Sequence, residues 1–478
     1  LSAGLGVEMP YRMVRAQHLL RALEAGDVSW DQVDSAVARL VATILRFDEV
    51  LGATQPDASV IDCPEHRELA REAAARSVVL LRNEPVDGTP VLPIDAGTAR
   101  SIAVFGSLAD TVNLGDAGSS DVWALECHTV LDGLGAELGA DRVTYDPSGD
   151  LAQAARIAAP AEVAIVVTGF TYLDEGEFIG DTNEDLVSLF PGPDDPELVE
   201  RFKAELEAFP TTWSTVKPSH VSSRPAAVAF KSGGDRKSLR LTPESVELIR
   251  AVSAANPRTV VVLQAGSAVI TTDWEDEVGA IVQAWYGGCE AGPGVADVLF
   301  GRVNPSARLP FTVPADESHL PFFDPQAREI TYDRWHGWWH FRRTGHRPAF
   351  PFGFGLSYTT FELGPVEVSR EGEMIRIDGS VANTGTLDGA DVVQVYAELP
   401  DPDSPPRLVA FARLEVEAAG RRKFALRIPV DRLATRDSRT HRWVGPQGVH
   451  RLFVGRHADD PLAQTVTVEL TGPEITKM

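Results

Sequence analysis

Three carboxylic acids, Asp174, Glu175 and Glu177, lie within four residues of one another in the stretch YLDEGEFIGDTNED. Ionised carboxylates repel one another, so crowding and partial burial favour keeping a proton on at least one of them. A side chain that holds a proton near neutral pH can act as a general acid. A solvated acidic loop is the other interpretation, and composition alone favours it.

A second candidate feature is the aromatic run YDRWHGWWHF, which contains Trp335, Trp338 and Trp339. Aromatic faces stack on sugar rings, so Trp335 and Trp338 are candidate substrate-binding residues. Neighbouring side chains of an extended segment point to opposite sides, so at least one of Trp338 and Trp339 is expected in the core. His336 and His340 have the spacing of two metal ligands on a helix. Without a third ligand nearby, no metal site is predicted.

Two further glycine-containing segments could border the same site. NLGDAGSSDVW contains Asp116, Ser119 and Ser120, and both serines are candidate substrate-binding residues if this loop faces the cleft. Ordinary turn chemistry explains the same residues equally well. GGDRKSL contains Asp235 and Arg236, which could form a structural ion pair that closes the acidic loop.

Short runs rich in valine and isoleucine alternate with helical stretches in the middle of the chain. The strand-like runs are SIAVFG, RVTY, AEVAIVVTGF, RTVVVLQAG and GAIVQAWY, and the helical stretches include LAQAARIAA and ESVELIRAVSAA. This alternation predicts an α/β sandwich domain with a mostly parallel sheet. Ligands of such sheets bind beyond the carboxyl ends of the strands, which points to the loops after Gly106, Gly169 and Gly266.

Helical periodicity precedes this region, from Tyr11 to about Leu51. Ser29 and Gln32 have the spacing of a capping box that begins the second helix. Most apolar positions of that helix are predicted to be core residues, among Val33, Val37, Leu40, Val41 and Ile44. A third helix is predicted from Glu65 to about Leu81. After about Phe361 the apolar residues alternate with period two, which predicts a small antiparallel β-sandwich.

Five groups of segments, taken in order, resemble glycoside hydrolase family 3. They are REAAARSVVLLRNE with VLPID, AVFGSLAD with NLGDAGSSDVW, QAWYGGCEAGPGVADVLFGRVNPSARLPFTVP, FPFGFGLSYTTF, and VANTGTLDGADVVQVYAELP. The resemblance implies that residues 61–330 form the α/β sandwich with a long acidic-loop insertion. It makes residues 331–363 a linker loop and residues 364–478 a fibronectin type III-like domain. Residues 1–60 would then be a remnant of a barrel domain and a helical linker.

The resemblance also implies a reaction, the retaining hydrolysis of terminal β-D-glucosides by two carboxyl groups. In this family the nucleophile is a barrel Asp that lies shortly before a motif like AGLDLEMP. The motif here reads AGLGVEMP, and Gly6 replaces the Asp that is usual within the motif itself. No residue of the chain matches the nucleophile. A missing barrel domain, or a partner chain that supplies one, is therefore expected. The family acid/base matches Glu175, with Glu177 as the alternate.

Bulk properties exclude several classes of function. The net charge is −25, so duplex nucleic acid and anionic membranes are poor partners. The three cysteines, Cys63, Cys127 and Cys289, form no CxxC pair, which argues against a disulfide framework and a zinc site. We expect no cofactor.

Two functions stay open: part of a β-glucosidase, or a catalytically inactive carbohydrate-binding or scaffold protein. Apolar surface left by the absent barrel would favour association of the chain, including association into a homo-oligomer.

Overall fold

The computed structural model describes residues 1, 4–8, 14–53, 57–115, 126–176, 200, 236–324, 327–400, 404–437 and 439–471. The chain divides into two compact units, Leu1–His66 with Phe178–Ser232, and Arg67–Glu177 with Gly233–Met478. Within the described ranges, no helix combines the length and the apolar character that crossing a membrane requires.

The first unit contains helices α1 (Val14–Ala25), α2 (Trp30–Arg46) and α3 (Asp48–Leu51). The predicted capping box of α2 is confirmed. The backbone amide of Gln32 donates to Ser29 Oγ, and the backbone amide of Ser29 donates to Oε1 of the Gln32 side chain. The prediction that the apolar stripe of α2 is core was wrong. An apolar stripe becomes core only where another surface covers it, and these side chains are 42–52% exposed: Val37, Leu40, Val41 and Ile44.

Helix α4 (Pro64–Ser77) ends before Leu81, where the sequence predicted its end. The next residues form strand β1 (Val79–Asn83), which pairs antiparallel with strand β8 (Ala280–Gln283). The first three residues of β1 are at most 4% exposed. A short, fully buried apolar run has no periodicity that separates helix from strand, which is why the sequence misplaced this boundary.

The second unit is built on a six-stranded sheet. Besides β1 and β8, the early strands are β2 (Pro85–Val86), β3 (Thr89–Pro90), β4 (Ile102–Phe105), β5 (Val143–Asp146), β6 (Val163–Gly169) and β7 (Thr259–Gln264). The order in the sheet is β1-β8-β7-β6-β4-β5, and every neighbouring pair is parallel except β1 with β8. The helices are α5 (Val130–Leu138), α6 (Leu151–Ala158), α7 (Tyr172–Glu175), α8 (Pro243–Ala255) and α9 (Ala291–Leu299). One buried cluster joins α5 and α9 to the sheet and a second joins α6 and α8 to it. The predicted α/β sandwich is confirmed.

The glycines of WYGGCEAGPGVADVLFG predict a sharp turn after a buried strand, followed by a helix from Val295 to Phe300. The segment does connect β8 to α9, but α9 begins at Ala291. Gly292 therefore lies in the helix and not in the turn. A Cβ atom built on Gly292 would lie 1.8 Å from the carbonyl oxygen of Thr129. The close approach of α9 to the start of α5 requires a glycine here, despite its poor helix propensity.

We expect Gly292→Ala to destabilise the α/β sandwich by about 3 kcal/mol, because the added methyl group pushes α9 away from Thr129. Gly135 is the matched control, since it also lies in a helix and an added Cβ atom would meet nothing within 4 Å. Gly135→Ala should leave the stability unchanged or raise it by up to about 1 kcal/mol. Urea unfolding measures both variants. Equal stabilities would contradict a role for this contact in packing the two helices.

Two antiparallel sheets form a C-terminal β-sandwich, as predicted. Their strands are β9 (Phe361–Leu363), β10 (Glu367–Glu371), β11 (Met374–Asn383), β12 (Gly389–Glu398), β13 (Arg407–Val416), β14 (Arg421–Pro429), β17 (Gln447–Gly455) and β18 (Gln464–Thr471). One sheet has the order β10-β11-β14 with β9 paired to β11, and the other has the order β13-β12-β17-β18. Strands β15 (Thr435–Asp437) and β16 (Arg442–Val444) pair with each other as a separate two-stranded sheet. Alternate side chains of both sheets form one buried core. Helix α10 (Trp338–Thr344) precedes this domain.

Candidate active site

The carboxyl ends of β6, β7 and β8 meet at one edge of the parallel sheet, since Gly169 pairs with Gln264 and Leu263 pairs with Gln283. The residues that directly follow these three strands therefore lie close together. They are the short helix α7 after β6, the Gly266–Ser267 segment after β7, and Tyr286 after β8. In α/β sheets, this edge is where ligands bind.

Gly169 allows β6 to leave the sheet at this edge. Its φ is +142°, and a Cβ atom there would lie 1.9 Å from the carbonyl oxygen of Gln264. Thr171 then caps α7 with Asp174, whose carboxylate accepts from the Thr171 amide at 2.9 Å. One of the three crowded carboxylates is thus used as a helix cap, which directs Glu175 to the other side of the short helix.

The carboxylate of Glu175 accepts hydrogen bonds on both oxygens. Oε2 accepts from the Gly266 amide at 2.7 Å and from the Tyr286 hydroxyl at 2.5 Å. Oε1 accepts from the Ser267 hydroxyl at 3.1 Å and forms an ion pair with Arg236 Nε at 2.9 Å. We call these five residues the Glu175 cluster. Only 12% of the Glu175 side chain is exposed. The four hydrogen-bond donors compensate for the burial of its charge.

Arg236 supplies the positive charge of the Glu175 cluster. Its guanidinium lies 4.1 Å from the ring centroid of Phe170, and its Nη2 donates to the Ser267 hydroxyl and, at 3.1 Å, to the Ala268 carbonyl oxygen. Burial lowers the pKa of Arg236 and the charge of Glu175 opposes that change; an arginine in this setting stays charged. The predicted partner Asp235 lies outside the described residues, and Arg236 pairs with Glu175.

Tyr286 is the member of the cluster that the sequence did not suggest. Burial, followed by the hydrogen bond to Glu175 and the charge of Glu175, raises the pKa of Tyr286 far above its ordinary value. The phenol therefore keeps its proton and donates a hydrogen bond to Oε2. Tyr286 belongs to the segment WYGGCEAG, which the sequence predicts to be a structural turn. Only the adjacent positions of β7 and β8 in the sheet indicate that Tyr286 lies near Ser267 and Glu175.

The predicted aromatic residues have contacts outside the Glu175 cluster. Trp338 stacks on Phe352 at 6.1 Å and meets Tyr396 edge-on at 5.3 Å, both measured between ring centroids. The guanidinium of Arg343 lies 5.1 Å from the centroid of Trp335. Trp338 thus has a packing role between α10 and the β-sandwich. Binding of substrate by Trp335 and Trp338 stays a prediction.

Glu177, Asp116, Ser119 and Ser120 lie outside the described residues, so their predicted roles stay predictions. Within the described ranges, no group of three or more His, Cys, Asp or Glu side chains is arranged to hold a metal ion. The described chemistry of the site is therefore that of a carboxylate beside an arginine and a neutral phenol. Such a group can accept a proton and, once protonated, donate it.

Comparisons with known proteins find that this chain is similar to glycosidases. A profile described as the glycosyl hydrolase family 3 C-terminal domain matches residues 78–358, and one described as a fibronectin type III-like domain matches residues 391–458. An exo-alpha-(1->6)-L-arabinopyranosidase from Bifidobacterium longum is 28% identical over 99% of this chain and 57% of its own length.

Two β-glucosidases are also similar to this chain. A probable beta-glucosidase I from Aspergillus fumigatus is 35% identical over 50% of this chain and 30% of its own length. The crystal structure of a GH3 beta-glucosidase from Bifidobacterium adolescentis matches with a TM-score of 0.76 and 25% identity, over 98% of this chain and 62% of that one. The chain thus spans less than two thirds of the length of each of these three relatives.

Proposed function

The chain belongs to glycoside hydrolase family 3, and from this premise we propose that it supplies the general acid/base, Glu175, to a retaining β-glycosidase that hydrolyses terminal β-D-glucosides. The observation that carries the proposal is the carboxylate of Glu175, held by four donors at the ligand-binding edge of the sheet. Its position also fits the family motif on which the acid/base was assigned.

The proposed chemistry has two steps. In the first, protonated Glu175 gives its proton to the glycosidic oxygen while the bond from C1 to that oxygen breaks and C1 bonds to a nucleophilic carboxylate. In the second, ionised Glu175 takes a proton from water while the water oxygen attacks C1 and releases the nucleophile. The sugar leaves with its original anomeric configuration.

The nucleophile in this proposal comes from a barrel domain, in the same protein or in a partner chain. The exposed apolar stripe of α2 supports such a partner, because four large apolar side chains of one helix are each more than two fifths exposed. Exposed apolar stripes of this kind mark surfaces that bind another protein surface. The barrel is therefore the proposed occupant of this stripe.

The sugar specificity is tested on the chain assembled with a family 3 barrel. The relatives are named for β-glucosidase and for arabinopyranosidase activity. An α-L-arabinopyranoside lacks the hydroxymethyl group of a β-D-glucoside and has the opposite configuration at C4. A site that binds the hydroxymethyl group and the equatorial 4-hydroxyl should prefer 4-nitrophenyl β-D-glucopyranoside over 4-nitrophenyl α-L-arabinopyranoside by about tenfold or more in kcat/KM. The corresponding β-xyloside and N-acetyl-β-hexosaminide complete the panel. A higher kcat/KM for any of these three would contradict the β-glucoside assignment.

A further inference from the structure

We propose that Tyr286 is a positioning residue for Glu175, whose hydroxyl fixes Oε2 together with the backbone amide of Gly266. The inference rests on the proposed acid/base function of Glu175. It is carried by the unequal partners of the two carboxylate oxygens in the Glu175 cluster.

The two oxygens are held in different ways. Oε2 has the shorter bonds, at 2.5 Å to the Tyr286 hydroxyl and 2.7 Å to the backbone amide of Gly266. Oε1 has longer bonds, at 2.9 Å to Arg236 and 3.1 Å to the Ser267 hydroxyl, and both partners are side chains. A backbone amide is fixed by the chain, so Oε2 has the more rigid anchor, and the Tyr286 hydroxyl makes the shorter of its two bonds.

The backbone before Tyr286 fixes its direction. Trp285 has a φ of +59°, in the left-handed region that bulky residues rarely adopt. Its indole Nε1 donates to the Ser77 carbonyl oxygen at 2.8 Å, and its ring meets Phe311 edge-on at 5.6 Å between centroids. Strained residues persist where their surroundings hold them firmly, and they cluster at functional sites. Trp285 thus orients Tyr286 toward Glu175.

Burial and the polar groups around Tyr286 keep it a donor. Burial raises the pKa of Tyr286 most, followed by the hydrogen bond to Glu175 and the charge of Glu175. The charge of Asp174 also raises this pKa, and the charge of Arg236 opposes these effects. Glu317 is a further carboxylate whose charge acts on Arg236. Because the phenol stays protonated, it donates a hydrogen bond to Oε2 in both steps of the reaction.

Tyr286→Phe, in the chain assembled with a family 3 barrel, removes this hydroxyl and leaves the ring. The kcat on cellobiose should fall about tenfold, the size of one lost hydrogen bond to a charged group. The alkaline limb of the pH–rate profile should move up by about 1 pH unit, because the ionised carboxylate loses a donor and the general acid keeps its proton to higher pH. Azide should not restore the rate, because the base is still present.

Tyr358→Phe is the matched control, since it removes another buried phenol hydroxyl, which donates to the Val298 carbonyl oxygen at 2.8 Å. Its pH–rate profile should not move. An unmoved profile in folded Tyr286→Phe overturns the positioning role, while the proposed function stands if Glu175→Gln is inactive and is rescued by azide. Full activity of Glu175→Gln would instead remove the proposed function itself.

Circular dichroism establishes whether Tyr286→Phe is folded. Should it not fold, Ser267→Ala tests the same inference from the other oxygen. Oε2 stays anchored in this variant, so the kcat should fall no more than about threefold, as expected for a weak, replaceable hydrogen bond. A larger loss would show that Oε1 depends on its donors as strongly as Oε2 does, and would overturn the proposal.

Discussion

Glu175→Gln, in the chain assembled with a family 3 barrel, is expected to lower the rate on cellobiose by about 10²–10⁴-fold, the usual range for losing a general acid. The amide keeps the size of the side chain and cannot give a proton to the leaving oxygen. Glucose is a poor leaving group, so bond cleavage depends strongly on that proton. Initial rates of glucose release measure the effect.

The choice of leaving group provides an internal comparison. An activated aryl glucoside needs little protonation, so its first step should suffer less and the covalent intermediate should accumulate. Glu177→Gln is the control for the alternate assignment and should stay near the wild-type rate. If neither variant loses activity on cellobiose, the acidic loop is surface and the general acid lies elsewhere.

The second large effect concerns the chain by itself. We expect it to leave 4-nitrophenyl β-glucoside unhydrolysed, and assembly with a barrel to raise the rate by about 10³-fold or more. An acid/base without a nucleophile about 5–5.5 Å away cannot form the glycosyl intermediate. Release of nitrophenol by highly purified chain is the measurement, with Glu175→Gln chain prepared in parallel to reveal host enzymes.

Turnover by the chain alone that disappears in the Glu175→Gln chain would contradict the need for a barrel. Assembly without any gain in rate would contradict the enzymatic proposal. That second outcome would favour the inactive carbohydrate-binding or scaffold protein.

Local signals predicted much of the fold. The capping box of Ser29 and Gln32 was found because its two partners are three residues apart. The strands of the parallel sheet were found because each is a short run of valine and isoleucine. The end of α4 and the start of α9 were misplaced, since a buried strand and a glycine packed against Thr129 depend on neighbours distant in the sequence.

The same distinction holds for the candidate site. Glu175 was selected by its place in a motif, but its partners were not, because Tyr286 is 111 positions away in the sequence. The sequence predicts an ion pair between Arg236 and its neighbour Asp235, whereas Arg236 pairs with Glu175 in the structure. Only the order of strands β6, β7 and β8 brings these side chains together, and strand order is a property of the folded sheet.

Azide rescue tests the central claim most directly. Azide attacks the glycosyl intermediate without needing a base. With an aryl β-glucoside, the Glu175→Gln enzyme assembled with the barrel should turn over faster as azide is added, and should release β-glucosyl azide, identified by the NMR coupling of its anomeric proton. Glu177→Gln should not respond. Rescue of Glu177→Gln with Glu175→Gln near the wild-type rate, or no glycosyl azide from either variant, would contradict the account.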